Sequence, residues 1–180
     1  MSKNIEFIPI KENNLQMILD WRNAPEVREN MYTSHEISIT EHKRWFDCLE
    51  KDNSKAYFIA TINGTECGVV GFSEINSVKG VATWAFYCSP NALRGSGSLM
   101  EFFALEYAFN KLHLHKLRCE VLSFNKAVVK LHTKFGFIIE GQHRDAFYRD
   151  EKYHDIIHLG IMENEWKEHR TTMQKKLRIS

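Results

Sequence analysis

The sequence predicts one mixed α/β domain with a central, largely antiparallel sheet. Apolar runs with helical and with strand-like spacing alternate along the 180 residues, in the order β-α-α-β-β-β-α-β-α-β-β. Two strand-like runs are separated by Asn63-Gly64-Thr65, a composition typical of a hairpin turn. Further on, a glycine turn joins an aromatic strand to an apolar helix within residues 84–112. A chain of this length can bury one sizeable core.

The N-terminal half is predicted to contain one strand, two helices and a hairpin. Residues 5–10 form a short apolar strand, and Asn13–Arg22 has the spacing of an amphipathic helix, which Pro25 ends. Thr40 is the predicted N-cap of a second helix that runs to Lys51. The hairpin strands are predicted at residues 56–62 and 66–73.

The C-terminal half alternates strands with helices. Asn125 is the predicted cap of a helix that ends at Phe135, where Gly136 follows. We expect the domain to span residues 1–166, with a basic C-terminal tail at 167–180. The elements predicted in this half are strands at 81–88, 116–122, 137–141 and 156–162 and helices at 98–112 and 125–135.

Composition indicates a soluble globular protein without a nucleic-acid or membrane partner. Hydrophobic residues make up 43% and charged residues 26%, and 24 basic against 23 acidic residues leave a net charge of +1. Neither a signal peptide nor an apolar run of about 18 residues is present, so we expect a cytoplasmic protein. No cysteine pair has CxxC spacing, so all four are predicted to be buried thiols rather than metal ligands or disulfides: Cys48, Cys67, Cys88 and Cys119.

The turn Arg94–Ser98 has the features of an anion cradle. Its glycines, Gly95 and Gly97, let the backbone approach a phosphate, and the first turn of the following helix offers free N–H groups. Arg94 adds a fixed positive charge. The turn is neither a P-loop nor a complete GxGxxG fingerprint. A glycine-rich loop with a helix cap at Ser98 explains the same residues equally well.

Two motifs resemble the GNAT family of acyltransferases. Arg94-Gly95-Ser96-Gly97-Ser98-Leu99 is similar to the family's [QR]xxGx[GA] motif and departs from it at Leu99. Asn125-Lys126-Ala127 and the later His132-Thr133-Lys134-Phe135-Gly136-Phe137 resemble its N-x-A and Y-x-K-x-GF segment. The resemblance implies about seven strands flanked by about four helices, acetyl-CoA as co-substrate and no metal. The implied acetyl-CoA contacts are Phe86, Tyr87, Cys88, Arg94, Gly95, Ser96, Gly97, Ser98 and Asn125.

The resemblance also implies one catalytic candidate, and the end of a predicted strand offers a second. His132 occupies the position where the family commonly has a tyrosine that protonates the leaving thiolate. A packed histidine beside the apolar stripe of Val128, Leu131 and Phe135 is the alternative. Glu74 ends a predicted strand and is a candidate to take a proton from the amine through water. An exposed strand-end acid is the alternative there.

A narrower resemblance covers nearly the whole chain. Trp21-Arg22-Asn23, Asn30-Met31-Tyr32 and Tyr153-His154-Asp155 are among the segments similar to the pseudaminic acid biosynthesis N-acetyltransferases. These enzymes acetylate the 4-amino group of UDP-4-amino-4,6-dideoxy-N-acetyl-β-L-altrosamine, and the sugar is later attached to flagellin. The implied acceptor residues are Arg22, Tyr32, His42 and Tyr87.

Ordinary structural roles remain open for these acceptor residues. Arg22 would pair with an acid such as Glu26, Tyr32 would be core, and His42 would lie on a solvated helix face. Two further functions also remain: a protein N-terminal acetyltransferase and an acyl-CoA-binding module without turnover. The oligomeric state is open, with a homodimer as one expectation.

Overall fold

A computed structural model describes residues 5–179, which form a seven-stranded sheet with helices on both faces. The strand order is β1-β2-β3-β4-β5-β7-β6, and only β4 and β5 run parallel. The strands are β1 (Ile5–Pro9), β2 (Ala56–Ile62), β3 (Thr65–Asn76), β4 (Val81–Cys88), β5 (Lys116–Leu122), β6 (Ile138–Arg149) and β7 (Lys152–Met162). The helices are α1 (Leu15–Asn23), α2 (Pro25–Arg28), α3 (Ile39–Leu49), α4 (Ser96–Asn110), α5 (Lys126–Lys134) and α6 (Glu163–Leu177). The predicted mixed, mostly antiparallel sheet is confirmed.

Alternating residues of the central strands point to two apolar clusters. Val70 of β3 packs with α4 in the larger cluster, and the adjacent Val69 packs with α1 and α3 in the smaller one. Helix α4 is apolar around most of its circumference because the sheet covers one side and Trp166 of α6 packs on another. The sheet is therefore fixed between two helical layers.

The feature that positions the site is the divergence of β4 from β5. The two strands pair only at Val81–Lys116, Ala82–Leu117 and Thr83–Arg118. Beyond this point β4 stays paired with β3 as far as Cys88, and β5 stays paired with β7 as far as Leu122. The facing edges therefore have no partner strand in the described part of the chain, and a wedge-shaped opening separates them.

Two helix starts differ from the sequence prediction. Helix α3 begins after Ser38, whose Oγ accepts a hydrogen bond from the backbone N–H of Glu41 at 3.2 Å, so Thr40 lies inside the helix. Helix α4 begins at Ser96 rather than at Ser98, because Gly95 adopts a φ of 95° that turns the chain into the helix. The cap at Asn125 is confirmed: its Oδ1 accepts from the N–H of Val128 at 3.4 Å.

The last third is more regular than predicted. Strands β6 and β7 form a hairpin of 12 and 11 residues, and α6 extends to Leu177. Met173, inside the segment predicted to be a tail, is buried against the core. The boundary drawn at 166 therefore falls inside α6, since this helix covers α4. Cys48 is exposed, in contrast to the predicted buried thiol.

Candidate active site

A cleft of about 380 Å³ fills the opening between β4 and β5. Its walls are the diverging ends of these two strands, and α5 closes one side. The segment after α2 contributes Met31 and Tyr32 to the opposite side. The lining is mostly apolar, and its polar residues include Glu120, Asn125 and His132.

The predicted anion cradle lies next to this cleft. Ser96 turns inward, where its N–H and its Oγ both donate to the carbonyl oxygen of Leu93, so the free N–H groups are those that follow in the first turn of α4. A Cβ added to Gly97 would lie 3.5 Å from Phe86 and 3.6 Å from the sulfur of Cys88. Gly97 of the predicted acetyl-CoA segment 94–98 thus lies beside Phe86 and Cys88 of the predicted segment 86–88. Arg94 is exposed.

His132 is buried at 3% exposure, and its ring also forms part of the cleft wall. The ring packs against Trp84 and Phe137 at centroid distances of 5.4 and 5.1 Å. Its Nδ1 lies 2.9 Å from Oε1 of Glu101, a residue of α4 with no exposed surface. Nε2 is consequently the ring nitrogen left for a group in the cleft.

Glu74 lies away from His132. Its side chain is 65% exposed, and Oε2 accepts hydrogen bonds from Thr83 Oγ1 at 2.7 Å and from Arg118 Nη2 at 2.8 Å. These bonds hold the pKa of this carboxyl below its ordinary value, which makes it a poorer proton acceptor. Glu74 belongs to a polar basin on the face of the sheet covered by α3, rather than to the cleft.

A second cavity of about 340 Å³ lies between α1, α3 and the sheet. It brings together three of the four predicted acceptor residues: Arg22, His42 and Tyr87. The half-buried Arg22 donates from Nη2 to the carbonyl oxygen of Thr33 at 3.2 Å, while its Nη1 is buried without a partner among residues 5–179. Burial lowers the pKa of this guanidinium. It forms no ion pair with Glu26.

Two other polar residues of the second cavity, His42 and Tyr87, are also largely enclosed. His42 is buried rather than solvated, and its ring stacks on Trp45 at 5.0 Å. Burial lowers the pKa of His42, and the nearby charge of Arg22 lowers it further. Tyr87 lines both cavities, so its side chain lies between them. Burial raises the pKa of Tyr87 despite the opposing charge of Arg22, so the phenol stays protonated.

Tyr32 is separated from these acceptor residues. It lies on the wall of the first cleft, half exposed, and its ring meets Phe147 edge-on at 5.5 Å. Its hydroxyl donates to Oε2 of Glu120 at 2.9 Å. Burial and this hydrogen bond raise the pKa of Tyr32. A purely core role does not describe this residue.

Sequence analysis missed Glu101, Glu120 and Tyr57 as site residues. Glu120 projects from β5 into the cleft and lies 3.5 Å from Nδ1 of His158. The alternation of polar and apolar residues in β5 predicts that Glu120 lies on the face of the sheet away from the core. It does not indicate which residues or cavity lie on that face. Glu101 had a weak signal, a charge in an otherwise apolar helix. Tyr57 had none, because aromatic residues are common in strands.

No group of three or more histidine, cysteine or acidic residues within 5–179 is arranged to hold a metal ion. None of the helices described is long and apolar enough to cross a membrane.

Comparison with known proteins identifies the family. A model of the GNAT acetyltransferase domain matches residues 4–138. The chain belongs to the GNAT acetyltransferases. Members of this family use acetyl-CoA as the acetyl donor.

Individual relatives differ in their named functions. Acetyltransferase PseH of Campylobacter jejuni (strain 81-176) is 28% identical over 148 residues, which are 82% of this chain and 92% of that protein. Spermidine N(1)-acetyltransferase of Escherichia coli K12 is 24% identical over 177 residues, 97% of this chain and 95% of that one. The crystal structure of spermidine N-acetyltransferase from Vibrio cholerae with CoA and spermine has a TM-score of 0.83 at 22% identity, covering 91% of this chain and 98% of its own. These matches establish the fold of this GNAT protein. Because the relatives have different named functions, its acceptor has to be inferred from the residues of the site.

Proposed function

We propose that this GNAT enzyme acetylates the 4-amino group of a UDP-linked amino-dideoxy sugar, as in pseudaminic acid biosynthesis. The supporting observation is the buried Nη1 of Arg22, which has no partner within the described residues and lines the second cavity. An unsatisfied buried donor costs about 1–3 kcal/mol, and more when charged. A diphosphate oxygen entering this cavity would satisfy it with a charge-assisted hydrogen bond.

The remaining walls of the second cavity suit a nucleotide sugar. Trp45 and Tyr57 meet edge-on at 5.5 Å and present aromatic surface on which a uracil or sugar face can pack. His42 Nε2 is a second buried polar atom without a partner in the described structure. The similarity to PseH over most of the chain agrees with this acceptor class.

Spermidine is the strongest competing acceptor because of the relatives that act on it. A polyamine has several cationic amines and no acceptor atom for a guanidinium. Arg22 would repel it in the second cavity. Three acidic residues line the polar basin. Two of them are already paired: Glu74 with Arg118 at 2.8 Å and Glu140 with Lys116 at 2.6 Å. The third, Glu120, accepts the hydrogen bond from Tyr32. These observations favour an anionic acceptor over a polyamine.

A protein N-terminus is the third candidate. A protein named as a putative ribosomal N-acetyltransferase, YdaF of Bacillus subtilis, is 22% identical over 156 residues. An extended peptide would need an open groove between the first helices and the β6–β7 hairpin. Arg149 of this hairpin instead donates hydrogen bonds to the carbonyl oxygens of Glu29 and Met31, so the segment after α2 lies against it.

We assign cofactor binding and the two proton transfers to different residues. The cradle at 94–98 binds the pyrophosphate of acetyl-CoA, and the free edge of β4 near 86–88 offers N–H groups to the thioester oxygen. Glu120, 47% exposed in its side chain, accepts the proton that the attacking amine loses. His132 gives a proton from Nε2 to the departing thiolate. These roles place proton acceptor and proton donor on different elements of the cleft.

The proposed reaction also has consequences for the use of its product and for the compartment in which it takes place. The acetylated sugar would be used to modify flagellin, and the reaction would take place in the cytoplasm, where acetyl-CoA and nucleotide sugars are made. We also keep self-association as a prediction, since a structural neighbour from Vibrio cholerae is described as dodecameric. Sedimentation of the purified chain will show whether it forms a homodimer.

The test is a thiol-release assay with acetyl-CoA and three acceptors in parallel. These are UDP-4-amino-4,6-dideoxy-N-acetyl-β-L-altrosamine, spermidine and a peptide with a free N-terminus, with mass spectrometry of each product. We expect the amino sugar to have the highest kcat/KM and to gain one acetyl group. Preference for spermidine or the peptide would overturn the acceptor assignment. If no acceptor supports thiol release, the result would favour a binding module.

A further inference from the structure

Glu101 and His132 form a hydrogen-bonded couple inside the core. Glu101 comes from α4 and His132 from α5, and neither has more than 3% of its surface exposed. Oε1 of Glu101 lies 2.9 Å from Nδ1 of His132, while Oε2 has no partner among the described residues. Burying a carboxyl group in such surroundings costs free energy unless a hydrogen bond or an opposite charge compensates for it.

Aromatic rings surround the histidine of the couple. Trp84 and Phe86 of β4 lie 5.4 and 6.1 Å from the His132 ring, centroid to centroid, and Phe137 lies 5.1 Å away. The other titratable groups that act on Glu101 are few. They are Cys119 of β5, whose own pKa is raised by burial so that its thiol stays neutral, and Lys134 at the exposed end of α5.

We propose that Glu101 is the positioning residue for His132: it accepts the hydrogen of Nδ1, fixes the ring with Nε2 towards the cleft, and stabilises the protonated ring. The proposal rests on the function proposed above, in which His132 is the proton donor. Glu101 does not touch the reacting atoms, so it acts through the ring alone.

The proton balance shows what Glu101 contributes. When the C–S bond breaks, its electron pair stays on sulfur, and the Nε2 proton moves to that sulfur to give the free thiol. The ring becomes neutral, and its Nδ1 hydrogen stays hydrogen-bonded to Glu101. The amine has lost one proton to Glu120 or water, so one proton from solvent restores the ring. An imidazolium beside a carboxylate has no net charge, which an apolar site accommodates more readily than a lone cation.

A structural pair without catalytic consequence is the opposing explanation. Both explanations predict lower thermal stability when Glu101 is changed, because a buried hydrogen bond is altered. They differ in the pH dependence of kcat. If the carboxylate stabilises the charged ring, Glu101→Gln keeps an oxygen for Nδ1–H but removes the charge, so the ring loses its proton at lower pH. The ratio of wild-type to variant kcat then increases from pH 6 to pH 9.

The experiment compares three variants by thiol release with UDP-4-amino-4,6-dideoxy-N-acetyl-β-L-altrosamine. Glu101→Gln should lower kcat about tenfold or more at pH 8, with the KM for acetyl-CoA near wild type and the loss decreasing towards pH 6. Glu106→Gln is the matched control on the same helix, since Glu106 accepts from Trp166 Nε1 at 2.9 Å and from Arg170 away from the cleft. It should lower the melting temperature without changing the shape of the pH profile. His132→Gln tests the donor itself.

Imidazole ¹⁵N spectra of the intact protein provide a readout that needs no acceptor. The signal of His132 is assigned among nine histidines by its loss in His132→Gln. We expect a hydrogen on Nδ1 in wild type and in Glu101→Gln, and a shift towards the Nε2–H tautomer in Glu101→Leu.

The outcomes separate the two proposals. If His132→Gln keeps its kcat, the donor role of His132 fails, and this inference fails with it. If His132→Gln loses kcat while Glu101→Gln has a wild-type pH profile, or if Nδ1 bears no hydrogen, the inference alone is overturned. A pH-dependent loss in Glu101→Gln, absent in Glu106→Gln, supports it.

Discussion

The Tyr32 hydroxyl donates a hydrogen bond to the Glu120 carboxylate at 2.9 Å, across 88 residues of sequence. This bond joins the segment after α2 to the free part of β5 and closes one side of the cleft. Met31, next to Tyr32, lines both cavities. The segment thus lies between the cleft and the second cavity. Under the proposed function, we expect its position to affect both substrates.

The cradle can be tested at Gly97. Gly97→Val adds a branched side chain beside Phe86 and Cys88, where the backbone must approach the pyrophosphate. Acetyl-CoA should raise the melting temperature of wild type by mass action and should fail to do so in the variant. Gly141→Val is the control, because a Cβ there meets nothing within 4 Å. An undiminished shift in Gly97→Val would move the pyrophosphate site elsewhere.

The acceptor cavity can be tested at Arg22. Arg22→Ala should raise the KM for the UDP-amino sugar while the KM for acetyl-CoA changes little. Loss of a hydrogen bond to a charged group costs about 1.5–3 kcal/mol, which corresponds to about 10- to 150-fold. Arg44→Ala, an exposed arginine of α3, is the control. Equal damage to both substrates would indicate that Arg22 serves the fold through its bond to Thr33.

The leaving-group proton can be tested at His132. His132→Gln keeps an N–H for Glu101, whereas His132→Phe would leave that buried carboxyl without its partner. We expect kcat to fall by about 10²-fold or more with CoA binding retained, measured by thiol release and by calorimetry. A variant that keeps most of its kcat would make His132 a packing residue. The proton would then come from Tyr87 or from water.

The proton acceptor for the amine can be tested by comparing two acids. Glu120 lines the cleft, whereas Glu74 is held by Thr83 and Arg118, and its pKa is lowered. Glu120→Gln should therefore reduce kcat by about 10- to 100-fold near neutral pH and less at high pH, where the free amine needs less help. Glu74→Gln should have a much smaller effect. The opposite order would return the role to Glu74.

The contact between the hairpin and the segment after α2 can be tested at Arg149. Its guanidinium donates to Glu29 O at 2.6 Å and to Met31 O, and lies 4.9 Å from the Phe147 ring centroid. Arg149→Ala should raise both KM values together and expose the segment to proteolysis. Arg144→Ala, an exposed arginine on the same strand, provides the comparison. Unchanged proteolysis in Arg149→Ala would show that other contacts hold the segment.

The parts of the fold that the sequence predicted depend on local patterns. The hairpin at Asn63-Gly64-Thr65 and the cap at Asn125 are short-range features, and both are observed. The start of α3 was misplaced because Ser38 and Thr40 are both acceptable caps, and only the backbone geometry selects Ser38. The length of β6 was missed because its residues are exposed, so no apolar alternation marks them.

The sequence by itself determined the class of the fold, the glycine turn that leads into α4 and the helix that carries His132, because these depend on neighbours in the chain. Tertiary structure decided the rest. The divergence of β4 from β5 after Thr83 created the cleft. The packing of distant segments brought Glu120 to Tyr32 and Glu101 to His132, and it paired Glu74 with Arg118. Such pairings depend on which elements pack together, and the local spacing of residues does not predict this.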